Sequence, residues 1–128
     1  AVLPLMQKQE YGRIVNVASV TGPLVTNPKA AGYSSAKAAM TGLTRVTAVE
    51  NASRNITCNA VLPGWIETEL TDFLRANEDA EKGTLARVPM ARWGAAHEIA
   101  DPAVFLASDD AGFITGSTIS ANGAQFFS

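Results

Sequence analysis

Three polar side chains in the first third of the chain have types and a spacing that suit proton transfer. Tyr33 and Lys37 are four residues apart, so on a helix their side chains lie on one face. A positive charge beside a phenol favours the phenolate, which makes the phenol usable as an acid and base near neutral pH. Ser19 could hydrogen-bond a carbonyl or alkoxide oxygen and hold it against that phenol. These residues predict a proton-transfer site for carbonyl/alcohol interconversion, which still needs a source of hydride.

Each of these residues also has a purely structural interpretation. A serine after a strand is commonly a turn hydroxyl that caps nearby backbone, and without Tyr33 we would prefer that interpretation for Ser19. Lys37 could be a solvated helix residue and Tyr33 a surface aromatic. Their position after a strand, a serine and a loop rich in proline and glycine favours the chemical interpretation.

Hydrophobic periodicity predicts the elements that must position these side chains. Apolar, β-branched runs predict strands at residues 13–18, 55–62 and 116–121. Helices are expected at residues 1–10, 34–53 and 96–107, with short helices in the polar segment 68–88, which would form a substrate lid. Gly12 is expected to stop the first helix, and residues 20–32 form a loop by their turn chemistry.

Strands that alternate with helices predict an α/β fold, a mostly parallel sheet with helices on both faces. Three strands make a poor isolated sheet because strands buried on both faces need further neighbours, so residues 1–128 are expected to be half of a single domain. In such sheets ligands bind beyond the carboxyl ends of the strands. The residues expected there follow the strands in turn: Ser19, Pro63–Gly64 and Asn122–Gly123.

Composition argues against several classes of protein. Of 128 residues, 47% are hydrophobic and 17% are charged, which is enough to form a core. A net charge of −2 with scattered Lys and Arg argues against a nucleic-acid partner, and no apolar run approaches the roughly 18 residues that span a bilayer. The acidic residues show no spacing typical of a metal site. Cys58 is expected to be a buried small apolar side chain, His97 a surface residue at a helix start, and a cytoplasmic location follows as a default.

Three motifs resemble the second half of the short-chain dehydrogenase/reductase family. They span residues 12–22, 33–39 and 59–68, and shorter matches at residues 92–94, 105–109 and 114–116 extend the resemblance over essentially the whole chain. The resemblance implies the C-terminal part of a Rossmann-type doubly wound parallel sheet. It also implies that Ser19, Tyr33 and Lys37 are the catalytic serine, tyrosine and lysine. The tyrosine would act as general acid and base, and the lysine would also bind the nicotinamide ribose.

The resemblance further implies a cofactor site in the third motif, whose Pro-Gly-x-x-x-Thr pattern matches Pro63, Gly64 and Thr68. Ile66 and Thr68 would contact the nicotinamide carboxamide, through the backbone and the hydroxyl respectively. Thr68 could instead be a helix N-cap, a position for which Thr71 competes. The family's glycine-rich phosphate loop and the residue that selects between NAD and NADP are absent from residues 1–128. The expected cofactor is therefore NADP or NAD, and these residues alone are not expected to catalyse the reaction.

The implied function is hydride transfer between a nicotinamide cofactor and a ketone or secondary alcohol. The motifs are similar to those of bacterial 3-oxoacyl-acyl-carrier-protein reductases and of related sugar or polyol dehydrogenases. The expected partners are a small carbonyl or alcohol substrate and further copies of the full-length chain, as a homodimer or homotetramer. Two alternatives stay open: a non-catalytic interaction module, and a related isomerase or epimerase. Coenzyme stoichiometry would separate all three.

Overall fold

The structure is a computed structural model that describes residues 1–127. Its one sheet has three parallel strands in the order β1 (Gly12–Val17), β2 (Ile56–Pro63) and β3 (Thr118–Ala121). The helices are α1 (Leu3–Gln9), α2 (Ala31–Asn51), α3 (Asp72–Arg75), α4 (Glu78–Leu85) and α5 (His97–Ala107). Short 3₁₀ turns occur at Ala52–Arg54, Glu69–Thr71 and Asp109–Ala111. The predicted α/β class and parallel sheet are confirmed.

Helices cover both faces of this sheet. Neighbouring residues of a strand point to opposite faces, and Val61 and Leu62 of β2 show where each face packs. Val61 packs with Leu106 of α5, whereas Leu62 belongs to a second cluster with Ala18, against which Met40 of α2 lies. β2 is therefore buried along almost its whole length. Within the described residues β1 is paired on one edge only.

The first helix ends earlier than predicted. α1 stops at Gln9, and Glu10 rather than Gly12 takes the left-handed conformation, with φ 51°, that ends it. Gly12 instead begins β1 and is buried against α1, where an added Cβ would lie 2.6 Å from the Met6 sulfur. The glycine thus marks a close approach of helix and strand, not a helix stop.

The long helix is also displaced from its predicted bounds of 34–53. α2 begins at Ala31, and Ser34 lies inside its first turn, where its hydroxyl bonds the Thr26 hydroxyl at 2.7 Å. At the other end Ala52–Arg54 continue as a 3₁₀ turn, which Asn55 ends in the left-handed conformation with φ 55°. The earlier start places both Tyr33 and Lys37 in the first two turns of α2.

The polar segment between β2 and α5 contains the short helices that were predicted there. A 3₁₀ turn leads into α3 and α4, and His97 begins α5 as an exposed residue, as expected. Within residues 1–127, the helices all fall short of the length and apolar character that crossing a membrane requires.

Candidate functional site

The carboxyl ends of the strands meet as the topology requires. The Val20 N–H donates to the Pro63 carbonyl at 3.1 Å, and the Gly64 N–H donates to the Ala121 carbonyl at 3.0 Å. The approach at Gly64 is close, because an added Cβ would stand 2.8 Å from the Cα of Asn122. Only a residue without a side chain fits there, which explains the glycine in the turn after β2.

Ser19 lies two residues beyond the end of β1 and is buried, with 7% of its surface exposed. Its Oγ accepts a hydrogen bond from the Thr21 N–H at 3.1 Å. Ser19 therefore has the structural contact of a turn hydroxyl bonded to nearby backbone. An accepted bond leaves the hydroxyl proton free to donate, and Ser19 also lines the cavity described below.

Tyr33 and Lys37 lie together at the start of α2. The Lys37 ammonium is 5.7 Å from the centroid of the Tyr33 ring, and it donates a hydrogen bond to the Val17 carbonyl at 2.9 Å. That bond ties the helix to the last residue of β1, so the positive charge is held in place beside the phenol. Tyr33 is 46% exposed, which leaves its side chain open to a ligand.

A cavity of about 530 Å³ brings two of these three side chains together. Ser19 and Tyr33 both line it, and Gly64 and Trp65 form part of its floor after β2. This volume is in the range of small-molecule sites. The remaining walls come from the loop after β1, the segment after β2 and the C-terminal tail: Val20, Thr21, Val25, Asn27, Ala30, Leu70, Thr71, Phe73, Arg87, Gln125 and Phe126.

Several of the residues that line this cavity were not predicted from the sequence. Leu70 and Phe73, which are 76% and 72% exposed, belong to short helices whose weak periodicity gave no signal of an apolar surface. Arg87 stands with its guanidinium 5.8 Å from the Trp65 ring. Trp93 does not line the cavity: it meets Trp65 edge-on at 6.0 Å, and its Nε1 donates to Glu81.

The four residues after β2 that were expected to hold the cofactor, in addition to Tyr33 and Lys37, are only partly brought together. Gly64 lines the cavity with Ser19 and Tyr33, whereas Ile66 lines a neighbouring cavity of about 560 Å³ and Pro63 and Thr68 line neither. The Ile66 carbonyl accepts from the Thr71 hydroxyl at 2.7 Å, and its N–H has no hydrogen-bond partner within residues 1–127.

Thr68 occupies the N-cap position of the turn Glu69–Thr71, which was its alternative interpretation. Its N–H donates to the Thr71 hydroxyl at 3.1 Å. Thr71 therefore fastens this turn from within, through bonds to both Thr68 and Ile66. The backbone between β2 and the short helices is held in shape before any ligand binds.

The neighbouring cavity has an ion pair at its rim. Arg92 donates to both carboxylate oxygens of Glu98, at 2.6 and 2.7 Å, and the Ala95 N–H donates to the same carboxylate at 2.8 Å. These bonds lower the pKa of Glu98 to about 2, Arg92 first and the Ala95 N–H second.

Other chemically capable residues lie outside the site. Asn16 donates to the Thr44 hydroxyl at 2.8 Å and so has a structural contact between β1 and α2. Cys58 is 1% exposed, as predicted, and burial raises the pKa of its thiol. No group of three or more His, Cys, Asp or Glu side chains suited to a metal ion occurs within residues 1–127.

The sheet is parallel and covered by helices on both faces, and a serine, a tyrosine and a lysine lie near the carboxyl ends of its strands. The chain belongs to the short-chain dehydrogenase/reductase family. A family model described as enoyl-(acyl carrier protein) reductase matches residues 1–123.

Two curated relatives resemble the chain over nearly all of its residues. It is 44% identical to the 3-oxoacyl-(acyl-carrier-protein) reductase of Haemophilus influenzae, over 100% of this chain and 52% of that protein. It is 47% identical to the acetoacetyl-CoA reductase of Shinella zoogloeoides, over 95% of this chain and 50% of that protein. The chain thus spans about half the length of the curated relatives it matches.

A solved structure from Agrobacterium tumefaciens has the same architecture. It contains bound NADP and comes from a protein proposed to be a 2-deoxy-D-gluconate 3-dehydrogenase. The TM-score is 0.92 at 35% identity, over 96% of this chain and 50% of that one.

Proposed function

We propose that the complete protein is an NADP- or NAD-dependent reductase of a ketone, or dehydrogenase of the corresponding secondary alcohol. The observation that carries the proposal is the cavity in which Ser19 and Tyr33 face the same space, with the Lys37 ammonium fixed beside the Tyr33 ring. Two of the relatives are named as reductases of oxoacyl compounds, and a structural neighbour binds NADP.

The contacts of the three side chains support a separate role for each. The Ser19 hydroxyl, already anchored by the Thr21 N–H, donates a hydrogen bond to the substrate oxygen and orients it. Tyr33 delivers a proton to that oxygen in reduction and removes it in oxidation. Lys37 places a positive charge beside the Tyr33 ring, and its position depends on the Val17 carbonyl.

The residues present fit a nicotinamide cofactor. Lys37 uses one of its three N–H donors on Val17, which leaves donors for a ribose hydroxyl, and the unpartnered Ile66 N–H is a donor suited to a carboxamide oxygen. When bound, the nicotinamide supplies or accepts the hydride. Thr68 would add a hydroxyl to the same group, but its present position at the cap of a turn makes it the weakest member of the set.

We further propose that residues 1–128 are the C-terminal half of a single Rossmann-type domain. The chain spans about half of its relatives, and within the described residues β1 has a neighbour on one edge only. A further parallel strand on that edge would satisfy the unpaired backbone groups of β1. We also propose that the protein is cytoplasmic, in keeping with its free, buried Cys58.

The test compares the chain's two tyrosines in the complete protein. Tyr33→Phe is expected to lower the turnover of coenzyme by roughly a hundredfold or more, because general acid–base groups contribute on that scale. Tyr11→Phe is the matched control, since Tyr11 bonds Asp109 at 3.1 Å and lies outside the cavity. Its turnover is expected to stay within about twofold of the wild type, because surface substitutions have small effects. Absorbance of the reduced coenzyme measures turnover, and thermal unfolding checks that both variants fold.

Equal activity of the Tyr33→Phe variant and the wild type would refute the assignment of the proton donor. Conversion of a substrate into its isomer without net consumption of coenzyme would indicate the isomerase or epimerase. A complete protein that neither binds nor consumes coenzyme would indicate the non-catalytic module.

A further inference from the structure

Arg87 is the one charged side chain among the residues that line the cavity holding Ser19 and Tyr33 within the described part of the chain. The other lining residues are apolar or carry neutral polar groups, and none is an aspartate or glutamate. Acidic residues do occur in the same segment, but the structure pairs two of them elsewhere: Glu67 and Asp72 both contact Arg75. The residues that line the cavity therefore carry a net charge of +1, from Arg87, and no carboxylate among them balances it.

The Arg87 guanidinium lies against an aromatic ring but has no carboxylate partner within residues 1–127. It lies 5.8 Å from the Trp65 ring and makes no ion pair and no side-chain hydrogen bond within residues 1–127. Arg75 and Arg92, in the same region, are both bonded to carboxylates. A guanidinium over an aromatic face is held in orientation by the ring while its five N–H donors stay open to an acceptor.

We propose that Arg87 is a specificity-determining residue that binds the carboxylate of a compact oxo acid. The proposal rests on the proposed function, since it assumes that the carbonyl of the same molecule lies at Ser19 and Tyr33. A planar guanidinium fork matches a carboxylate with two parallel hydrogen bonds, and one cation balances one carboxylate. The apolar walls contributed by Leu70, Phe73 and Phe126 would contact the hydrocarbon between the two ends of the molecule.

The volume of the cavity supports a small molecule that lies wholly within it. About 530 Å³ is in the range of sites that enclose most of a small ligand. Because the cation and the reacting groups line one cavity, a single short substrate can meet both. A neutral ketone of the same length would bind the walls equally well but would leave Arg87 without its acceptor.

The experiment compares levulinate with its methyl ester, which has the same ketone and lacks the charge. With the complete protein, we expect Arg87→Gln to raise the KM for levulinate roughly tenfold or more, as loss of a charge-assisted hydrogen bond predicts, and to leave the KM for the ester unchanged. Arg87→Lys keeps the charge but loses the planar fork. Its KM for levulinate should therefore lie between that of the wild type and that of the Arg87→Gln variant. The matched control is Lys82→Gln, which removes a cation that is paired with Glu78 and lies outside the cavity.

Binding of valerate, which lacks the ketone, separates this inference from the proposed function. Calorimetry should show valerate binding that weakens with Arg87→Gln and not with Lys82→Gln. If neither levulinate nor its ester is reduced while valerate binding depends on Arg87, the proposed reaction fails and the carboxylate site stands. If Arg87→Gln changes the KM for acid and ester equally, or valerate binding is insensitive to it, the inference is wrong.

Discussion

Individual buried polar side chains connect the strands to the loops beside the site. Asn59, with none of its surface exposed, donates from its amide to the Ile114 carbonyl at 2.7 Å and accepts from the Ser117 N–H at 3.1 Å. It thereby joins β2 to the turn that precedes β3. Such an amide satisfies backbone groups that would otherwise be buried without partners.

Cys58, the neighbour of Asn59 on β2, provides a test of burial at a single residue. Its thiol is enclosed, and desolvation raises its pKa more than the contact with Thr44 lowers it. Because the thiolate is the reactive form, iodoacetamide should modify folded protein roughly a hundredfold more slowly than protein unfolded in urea. Mass spectrometry of the peptide that contains Cys58 measures the two rates. Similar rates in both states would show that β2 is not buried as described.

The start of α5 shows how an element is fixed by an ion pair. Glu98, in the first turn of α5, accepts from the Ala95 N–H and from Arg92, so it joins the segment before the helix to the helix itself. A carboxylate in the first turn is also favoured by the helix dipole. Both side chains line the second cavity.

This pair predicts a dependence of stability on pH. The pKa of Glu98 in the folded protein is about 2 and its ordinary value is 4.5, so the unfolded chain binds more protons in this range. The stabilisation is fully present above pH 4.5 and is lost as the pH falls towards about 2. Urea midpoints measured across this window should fall less steeply for Glu98→Gln than for the wild type. Arg92→Gln should reduce the slope as well, because it removes the first cause of the shift.

Equal slopes for the wild type and both variants would mean that the pair contributes nothing to folding. The expected difference is small in absolute terms, since the pair is partly exposed and salt screens it. Measurement at low ionic strength therefore gives the clearest comparison.

At the scale of the whole molecule, α2 has an apolar stripe that the described residues leave uncovered. Leu43, Val46 and Val49 are 59%, 47% and 82% exposed. Exposed apolar stripes of this kind mark contact surfaces, and we propose that this one packs against a second copy in the complete protein.

The oligomer prediction is tested by placing a charge on that stripe. Val49→Asp should shift the sedimenting species to about half its mass or less, because an isologous contact would place the two new carboxylates close together. Leu70→Asp is the matched control, an equally exposed apolar residue that belongs to the cavity instead. A wild-type protein that sediments as a monomer would contradict the prediction before any variant is made.

Residue patterns alone predicted the fold class and the three strands, to within two residues at each end. They also predicted that Ser19, Tyr33 and Lys37 would lie close together. These features depend on local periodicity and on short spacings, which a linear chain displays directly. The exact ends of the helices were less accessible, since Glu10 rather than Gly12 ends α1 and α2 begins at Ala31.

The walls of the cavity become visible only in the folded chain. Leu70, Phe73 and Arg87 belong to a polar segment with no strong pattern, and their common function arises because the segment folds back over the carboxyl ends of β1 and β2. Likewise, Trp65 lines the cavity and Trp93 does not. A cavity is formed by residues far apart in the chain, so its charge and its lining follow from packing and not from local spacing.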